Sequence, residues 1–347
     1  MRSAHLTHGI RPRSLLAGLA CLLAAVSSLY SLQADAQLRR VAIGSNPAGT
    51  NFYVVASGLA RLLQDEISIP ATVRPFSGSS VYIPMLQRGE IALGVNTQID
   101  TYAAYLGLEP YGAPMTNLRL LVALMPLFDN FLVRSESGLR SVEDLRQRRV
   151  VIAIRSNVAL ERFHWAIMAT GGLGPDDIEA VSVASLPDGI RMLTEGRVDA
   201  APIGLETALA RQADATVPGG IRFIPLGQAE SRLVELVPGS RVDTVHPESA
   251  SVGIQQPLRV ARFDTYLNTG AHISDADAHL IVKTIHEQWQ SLRQDYALLR
   301  SVTAEMIAPS NSPHPYHPGA VEYFRQAGLW TDAHERNQLR ALGAGAP

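Results

Sequence analysis

Cysteine is close to absent from this chain: its 347 residues contain one, Cys21. That residue falls in a segment with the marks of an export signal. Met1 to Arg13 carries Arg2, Arg11 and Arg13 with no acid, Ser14 to Tyr30 is apolar, and Ala34-Asp35-Ala36 supplies an A-x-A pattern. Cleavage after Ala36 is therefore expected, with a mature chain beginning at Gln37 in the periplasm. The alternatives are a transmembrane anchor, for which the apolar run is short, and a lipid anchor on Cys21, where Gly18 stands in place of the usual Leu. A chain cut at Ala36 has no cysteine, which excludes disulfides, thiol nucleophiles and Cys-based metal sites. Beyond the signal there is no apolar run long enough to span a bilayer and no low-complexity tract.

A strong charge of one sign is also lacking. The chain holds 30 Lys and Arg against 32 Asp and Glu, and residues 1–36 take away three Arg and one Asp, leaving 27 against 31. A net charge near −4 argues against nucleic acid or anionic lipid as the main partner. Enzyme signatures are missing as well. Gly44 and Gly49 do not form G-x-G-x-x-G and no phosphate-loop lysine follows them; G-x-S-x-G and H-E-x-x-H do not occur. His314 and His317 flank Tyr316 in SPHPYHPGA, where a rigid surface turn is expected before a metal site. Asp176-Asp177 and Asp275/Asp277 read as helix caps. No cofactor, metal or catalytic residue is expected.

What is present begins with VAIGSNPAGTNFYVVASGLARLLQDE, Val41 to Glu66: a short apolar strand, a polar loop and an amphipathic helix. A loop of this kind offers N–H groups, hydroxyls and amides at a helix N-terminus, a place suited to a small anion. MLQRGEIALGV at Met85–Val95 is echoed by MLTEGRVDAAPI at Met192–Ile203, each a helix closed by a glycine (Gly89, Gly196) and followed by a strand. The echo fits two similar α/β lobes, although helix–Gly–strand units also recur by chance. Ser141 and Asp144 resemble a capping box, Val150 to Ile154 reads as a strand buried on both faces, and Asn157 is placed to cap the next helix, closed by Gly171-Gly172. Roughly 310 residues of alternating strands and helices predict an α/β fold of mostly parallel sheet with ligand loops beyond the carboxyl ends of the strands. Those loops are Ser45–Asn51, Ser77–Ser80, Asn96–Gln98 and Arg155–Asn157.

These residues also carry a family resemblance. GSNPAGTNFYVVASGLARLL resembles the pattern G-T-G-G-T-G-G-T-Y-Y-P-x-G-x-x-L-A-x-x-L of the TAXI solute receptors, which serve tripartite ATP-independent periplasmic (TRAP) transporters. The likeness continues through SGSSVYIPMLQRGEIALGVNTQIDTYAAYLG and NLRLLVALMPLFDNFLVRSESGLRSVEDLRQRRVVIAI. It closes with PHPYHPGAVEYFRQAGLW, covering Val41 to Trp330. The resemblance implies a two-lobed, periplasmic-binding-protein-like α/β fold (type II) with a ligand cleft between lobes that close by a hinge. It implies lobe 1 at 37–125 plus 258–335, lobe 2 at 126–257 and a C-terminal tail at 336–347. The chain would cross between lobes near Ala123–Asp129 and return near Gln256–Phe263. The implied function is capture of a small organic acid or acidic amino acid, glutamate- or 2-oxoglutarate-like, by a monomer that hands it to TRAP membrane subunits. A periplasmic sensor of the same fold, signalling to a membrane kinase, is the alternative; an enzyme is a distant third.

The chain departs from the family pattern in its loops. Thr50-Asn51-Phe52-Tyr53 matches Gly-Thr-Tyr-Tyr; Gly78-Ser79 is kept, but Val81-Tyr82 follows where Glu-Asn is usual. Pro84 sits where it would delay that helix by a turn. Thr97-Gln98-Ile99 replaces Gln-Ser-Asp, and Arg155-Ser156-Asn157-Val158 replaces Gly-Ser-Gly-Thr. The candidate ligand contacts are Thr50, Asn51, Tyr53, Gly78, Ser79, Thr97, Gln98, Arg155, Ser156 and Asn157. Thr50, Asn51, Thr97 and Gln98 have helix capping as the competing role, and Tyr53 has packing on the sheet. Arg155 is read either as a guanidinium that clasps a ligand carboxylate or as one that faces solvent or braces the hinge.

Overall fold

The computed structural model describes residues 38, 40–109, 111–237, 239–247 and 252–344. The export signal over 1–36 and the start at Gln37 lie outside the described residues. The chain opens with β1 (Val41–Ser45), α1 (Asn51–Ile67), β2 (Ala71–Pro75), α2 (Ser79–Gln87), β3 (Leu93–Thr97) and α3 (Gln98–Leu106). A long strand, β4 (Leu118–Arg134), leads away to β5 (Arg149–Ile154), α4 (Ala159–Thr170), β6 (Glu179–Val183), α5 (Leu186–Thr194) and β7 (Ala200–Gly204). Then come α6 (Ala208–Thr216), β8 (Ile221–Phe223), α7 (Ser231–Leu236) and β9 (Arg241–Val245). β10 (Leu258–Gly270) returns, and α8 (Asp275–Glu287), α9 (Trp289–Asp295), α10 (Pro318–Gln326) and α11 (Asp332–Ala344) complete the order.

The strands form one sheet in the order β2-β1-β3-β10-β4-β7-β5-β6, with β8 on β4 and β9 on β10. Both wings are parallel: β1 pairs with β2 and β3, and β5 with β6 and β7. Helical crossovers return each chain segment in the same direction and cover the faces, which is why β1 and β5 are continuous apolar runs. The centre is antiparallel, because β4 and β10 run in opposite senses through both wings. The 17 residues of β4 reach roughly 55 Å at the usual rise per residue, enough to serve both halves. Asp129 is where β4 changes partners: it pairs with Ala261 of β10 and with Gly204 of β7.

Local chemistry explains the element boundaries. Thr50, Thr97 and Thr207 accept from the N–H three residues on and start α1, α3 and α6. Gly89 (φ 74°) and Gly196 (φ 73°) close α2 and α5 in the left-handed conformation that the repeated M-L-x-x-G motif predicts. The main core runs through both halves, with Leu121, Phe131, Phe163, Phe263 and Trp289 all buried; Leu132, Ile154, Ile203 and Phe223 anchor a second cluster in the β5–β7 half.

Three expectations change. Pro84 does not delay α2, which starts at Ser79 and contains it; a proline this near the N-terminus forfeits only one intrahelical bond. The segment from 336 is not a tail but most of α11. Ala341 is buried, its carbonyl accepts from the Tyr105 hydroxyl at 3.2 Å, and Asn337 Nδ2 donates to Ser312 O at 2.8 Å. SPHPYHPGA is not a surface turn. His314 is buried and hydrogen-bonds Asn268 Oδ1 at 2.8 Å through Nε2, and His317 caps α10 by accepting from Gly319 N. Burial pushes the His314 pKa down to about 3, so the ring is neutral.

Candidate functional site

The carboxyl ends of strands from both halves converge on one enclosed space. Asn46 and Thr50 follow β1, Thr97 ends β3, Asn157 follows β5, Gly204 ends β7 and Thr207 follows it; Leu127 and Asp129 of β4 and Phe263 of β10 complete the lining with apolar side chains from Phe52, Leu160, Leu186 and Ile203. This is where open α/β sheets place ligands, since strand ends and helix N-termini point their backbone groups there. The space is about 30 Å³, room for one or two waters. Any solute of several heavy atoms needs the loops to move apart. A wider open cleft, lined by Gly49, Asn51, Val54, Glu206 and Arg211, shares Asn51 with the enclosed space. Asn51 Nδ2 donates to Leu205 O at 3.4 Å, so this side chain stands between the two.

The facing loops also bond directly to each other. Asn157 Oδ1 accepts from Ser79 N and from Ser79 Oγ, both at 2.7 Å; Ser80 N donates to Ser156 O at 3.1 Å; Val158 N donates to Ser80 Oγ at 3.0 Å. Ser79 Oγ contacts the buried Asp100 carboxyl as well. One hydroxyl hydrogen serves one acceptor, so the chain Asp100 to Ser79 to Asn157 is complete when Asp100 carries the proton. Burial raises the Asp100 pKa in that direction, against opposing hydrogen bonds from Ser79, Thr97 and Tyr111.

Three buried polar atoms of the lining have no hydrogen-bond partner among the described residues: Asn46 Oδ1, Asp129 Oδ1 and Asn157 Nδ2. The Asn157 amide is oriented by its own contacts, because Oδ1 faces the Ser79 donors and leaves Nδ2 free. Asp129 is 4% exposed, and desolvation alone pushes its pKa up to about 8. Its neighbour Asn130 shows the contrast. Asn130 donates to Ile224 O and Arg259 O and accepts from Ala261 N, a fully bonded structural amide on the opposite face of β4. No Lys, Arg or His lines the enclosed space among the described residues, and no group of three metal-ligating side chains occurs among them.

Residues 43–328 match the model of the NMT1-like family. The chain belongs to the NMT1-like family. Among solved structures, the fold is similar to the alkanesulfonate-binding protein SsuA from Xanthomonas axonopodis pv. citri bound to MOPS. The two are 18% identical over 88% of this chain and 85% of that one, with a TM-score of 0.50. It is also similar to PhnD1 from Prochlorococcus marinus (MIT 9301) in complex with methylphosphonate, at 10% identity over 85% of this chain and all of the other (100%), with a TM-score of 0.53. The fold of this NMT1-like chain is thus the two-lobed one of periplasmic binding proteins. No helix among its described residues is long and apolar enough to cross a membrane.

Of the ten sequence candidates, Thr50, Asn51, Thr97 and Asn157 line the enclosed space. The Thr50 and Thr97 hydroxyls are committed to capping α1 and α3. Asn157 does not cap its own helix; its side chain reaches across to Ser79. Gly78, Ser79 and Ser156 lie at the junction between the loops rather than in the lining, and Ser156 Oγ has no hydrogen-bond partner among the described residues. Tyr53 is half-buried outside the lining, and Gln98 faces Gly239 in a separate cleft. Arg155 is exposed and outside the lining. Arg155→Ala is accordingly expected to change solute affinity less than about twofold; a tenfold loss in titration calorimetry would place the guanidinium in the site after all. Asp129, Thr207 and Phe263 also line the space and were not among the candidates, and Asn46 was included only through its loop, Ser45–Asn51. The signal for Asp129 was available: an acid inside the apolar run LLVALMPLFDNFLV is either bonded or functional.

Proposed function

We propose that this protein is a periplasmic solute receptor that closes two lobes, 37–125 with 258–335 and 126–257, over a small polar solute and delivers it to the membrane subunits of a TRAP-type transporter. The observation that carries this reading is the enclosed space at strand ends from both halves, lined by polar atoms that have no hydrogen-bond partner among the described residues. SsuA, named for alkanesulfonate, and PhnD1, held with methylphosphonate, support solute capture on this fold. Transfer to TRAP subunits rests on the resemblance from Val41 to Trp330. Capture needs no chemistry: the ionisable side chain of the lining is Asp129, and it has no nucleophile–base partner there. Of the small organic acids and acidic amino acids that the resemblance implies, the glutamate- and 2-oxoglutarate-like dicarboxylates fit this lining poorly. A dicarboxylate such as 2-oxoglutarate would bring two negative charges to a lining with Asp129 and no cation, so a solute with one carboxylate or fewer fits better.

Reconstitution tests the reading. Proteoliposomes carrying the TRAP membrane subunits of the same bacterium, supplied with this receptor and a solute recovered from it by mass spectrometry, are expected to accumulate that solute under an inward ion gradient without ATP. Uptake that requires ATP, or that proceeds equally without the receptor, overturns it.

A further inference from the structure

We propose that the solute is amine-bearing, and that Asp129 anchors its ammonium group, with Asn46 Oδ1 as a second acceptor and Asn157 Nδ2 as donor to an oxygen at the solute's other end. This rests on the solute-receptor reading and names the chemistry of that same site. Asp129 and Asn46 are at least nine-tenths buried and offer acceptor atoms that no described residue satisfies, and Asn157 offers a donor of the same kind. Buried polar atoms left bare are costly, and a ligand that supplies the matching groups removes that cost on binding. An ammonium has three donors and a positive charge, so it serves both acceptors and neutralises the carboxylate. A small amino acid or amino amide carries the complementary oxygen; a plain carboxylate would set like charges side by side. The position matters as well. Asp129 lies where β4 passes from β10 to β7, so an ion pair there engages the segment shared by the two halves.

The pairing has a pH signature. Other ionisable groups on the elements packed around Asp129 are His164 of α4, buried and neutral with its pKa driven down to about 4, the Arg262–Asp264 pair of β10, which also contacts Asp243, and Glu206 in the turn after β7, whose pKa burial raises. An ammonium binds the ionised carboxylate, so affinity rises with pH as Asp129 loses its proton. A carboxylate held by protonated Asp129 would bind more weakly over the same range.

Thermal-shift and calorimetric titrations of the purified receptor decide this, using the twenty standard amino acids against the 2-hydroxy and 2-oxo acids that lack the amine. At least one amino acid is expected to raise the melting temperature where its deaminated counterpart does not. Its affinity is expected to rise about fiftyfold between pH 6 and pH 8, and to fall at least tenfold in both Asp129→Asn and Asp129→Ser. A deaminated acid that binds wild type as well as its amino acid does, with affinity unchanged in both variants, overturns the Asp129 assignment while leaving the receptor reading intact. If no compound of either set shifts the wild-type protein, both the assignment and the small-solute reading of this cavity fail.

Discussion

Asp129→Asn is expected to stabilise the protein at alkaline pH, by an amount on the order of 6 kcal/mol near pH 9, and to leave stability almost unchanged near pH 4. The sign follows from the direction of the shift. Desolvation raises the folded-state pKa from 3.8 to about 8. The folded state therefore holds its proton longer than the unfolded chain, and the contribution from Asp129 is fully favourable below the unfolded value. It is lost progressively as pH rises and is gone once the carboxyl ionises above about 8. Asparagine keeps the shape and carries no charge, so it escapes this loss. Urea denaturation of both proteins across the pH range checks the prediction. Parallel curves at every pH would mean that the folded carboxyl titrates normally and is open to water. A residue whose removal stabilises the fold is one whose retention needs another reason, and the proposed solute contact would be one.

Gly78→Ala is expected to prop the two loops apart. A Cβ at Gly78 would stand 2.2 Å from Ser156 O, 2.6 Å from its carbonyl carbon and 2.7 Å from Asn157 Oδ1. Backbone atoms do not yield as a flexible side chain does, so the loops separate by roughly 1 Å or more. That separation breaks the bonds joining Ser79 and Ser80 to Ser156, Asn157 and Val158. Closure is expected to lose about 2–4 kcal/mol, a weakening of solute affinity by thirtyfold or more. Global stability should fall less, since neither loop supplies core. Small-angle scattering is expected to show a larger radius of gyration in the variant. A scattering curve and dissociation constant matching wild type would show that the loops do not meet in solution.

The legible parts of this chain were local. Thr50 before an amphipathic helix, Gly89 and Gly196 after one, and the β-branched run Val150–Ile154 each specify an element through interactions within a few residues, and the structure has those elements. Two of the loops expected at a ligand cleft, Ser77–Ser80 and Arg155–Asn157, bond directly to each other. Their individual side chains were harder. Asn157 has the sequence position of a helix cap, yet it bonds to Ser79, a partner 78 residues away. Arg155, the one cation of these loops, had the chemistry for a carboxylate but is turned to solvent.

Residue order alone, then, settled the α/β alternation and the caps at Thr50 and Thr97, because hydrophobic periodicity and capping act over short spans of chain. It did not settle which polar atoms face inward without a partner. Whether a carboxylate in an apolar strand is bonded, like its neighbour Asn130, or bare, like Asp129, depends on what distant segments bring to that face. It is the tertiary packing that removes water from Asp129, by bringing Phe52, Leu160, Leu186, Ile203 and Phe263 from separate elements to the same enclosed space with no hydrogen-bond partner for its Oδ1 among the described residues.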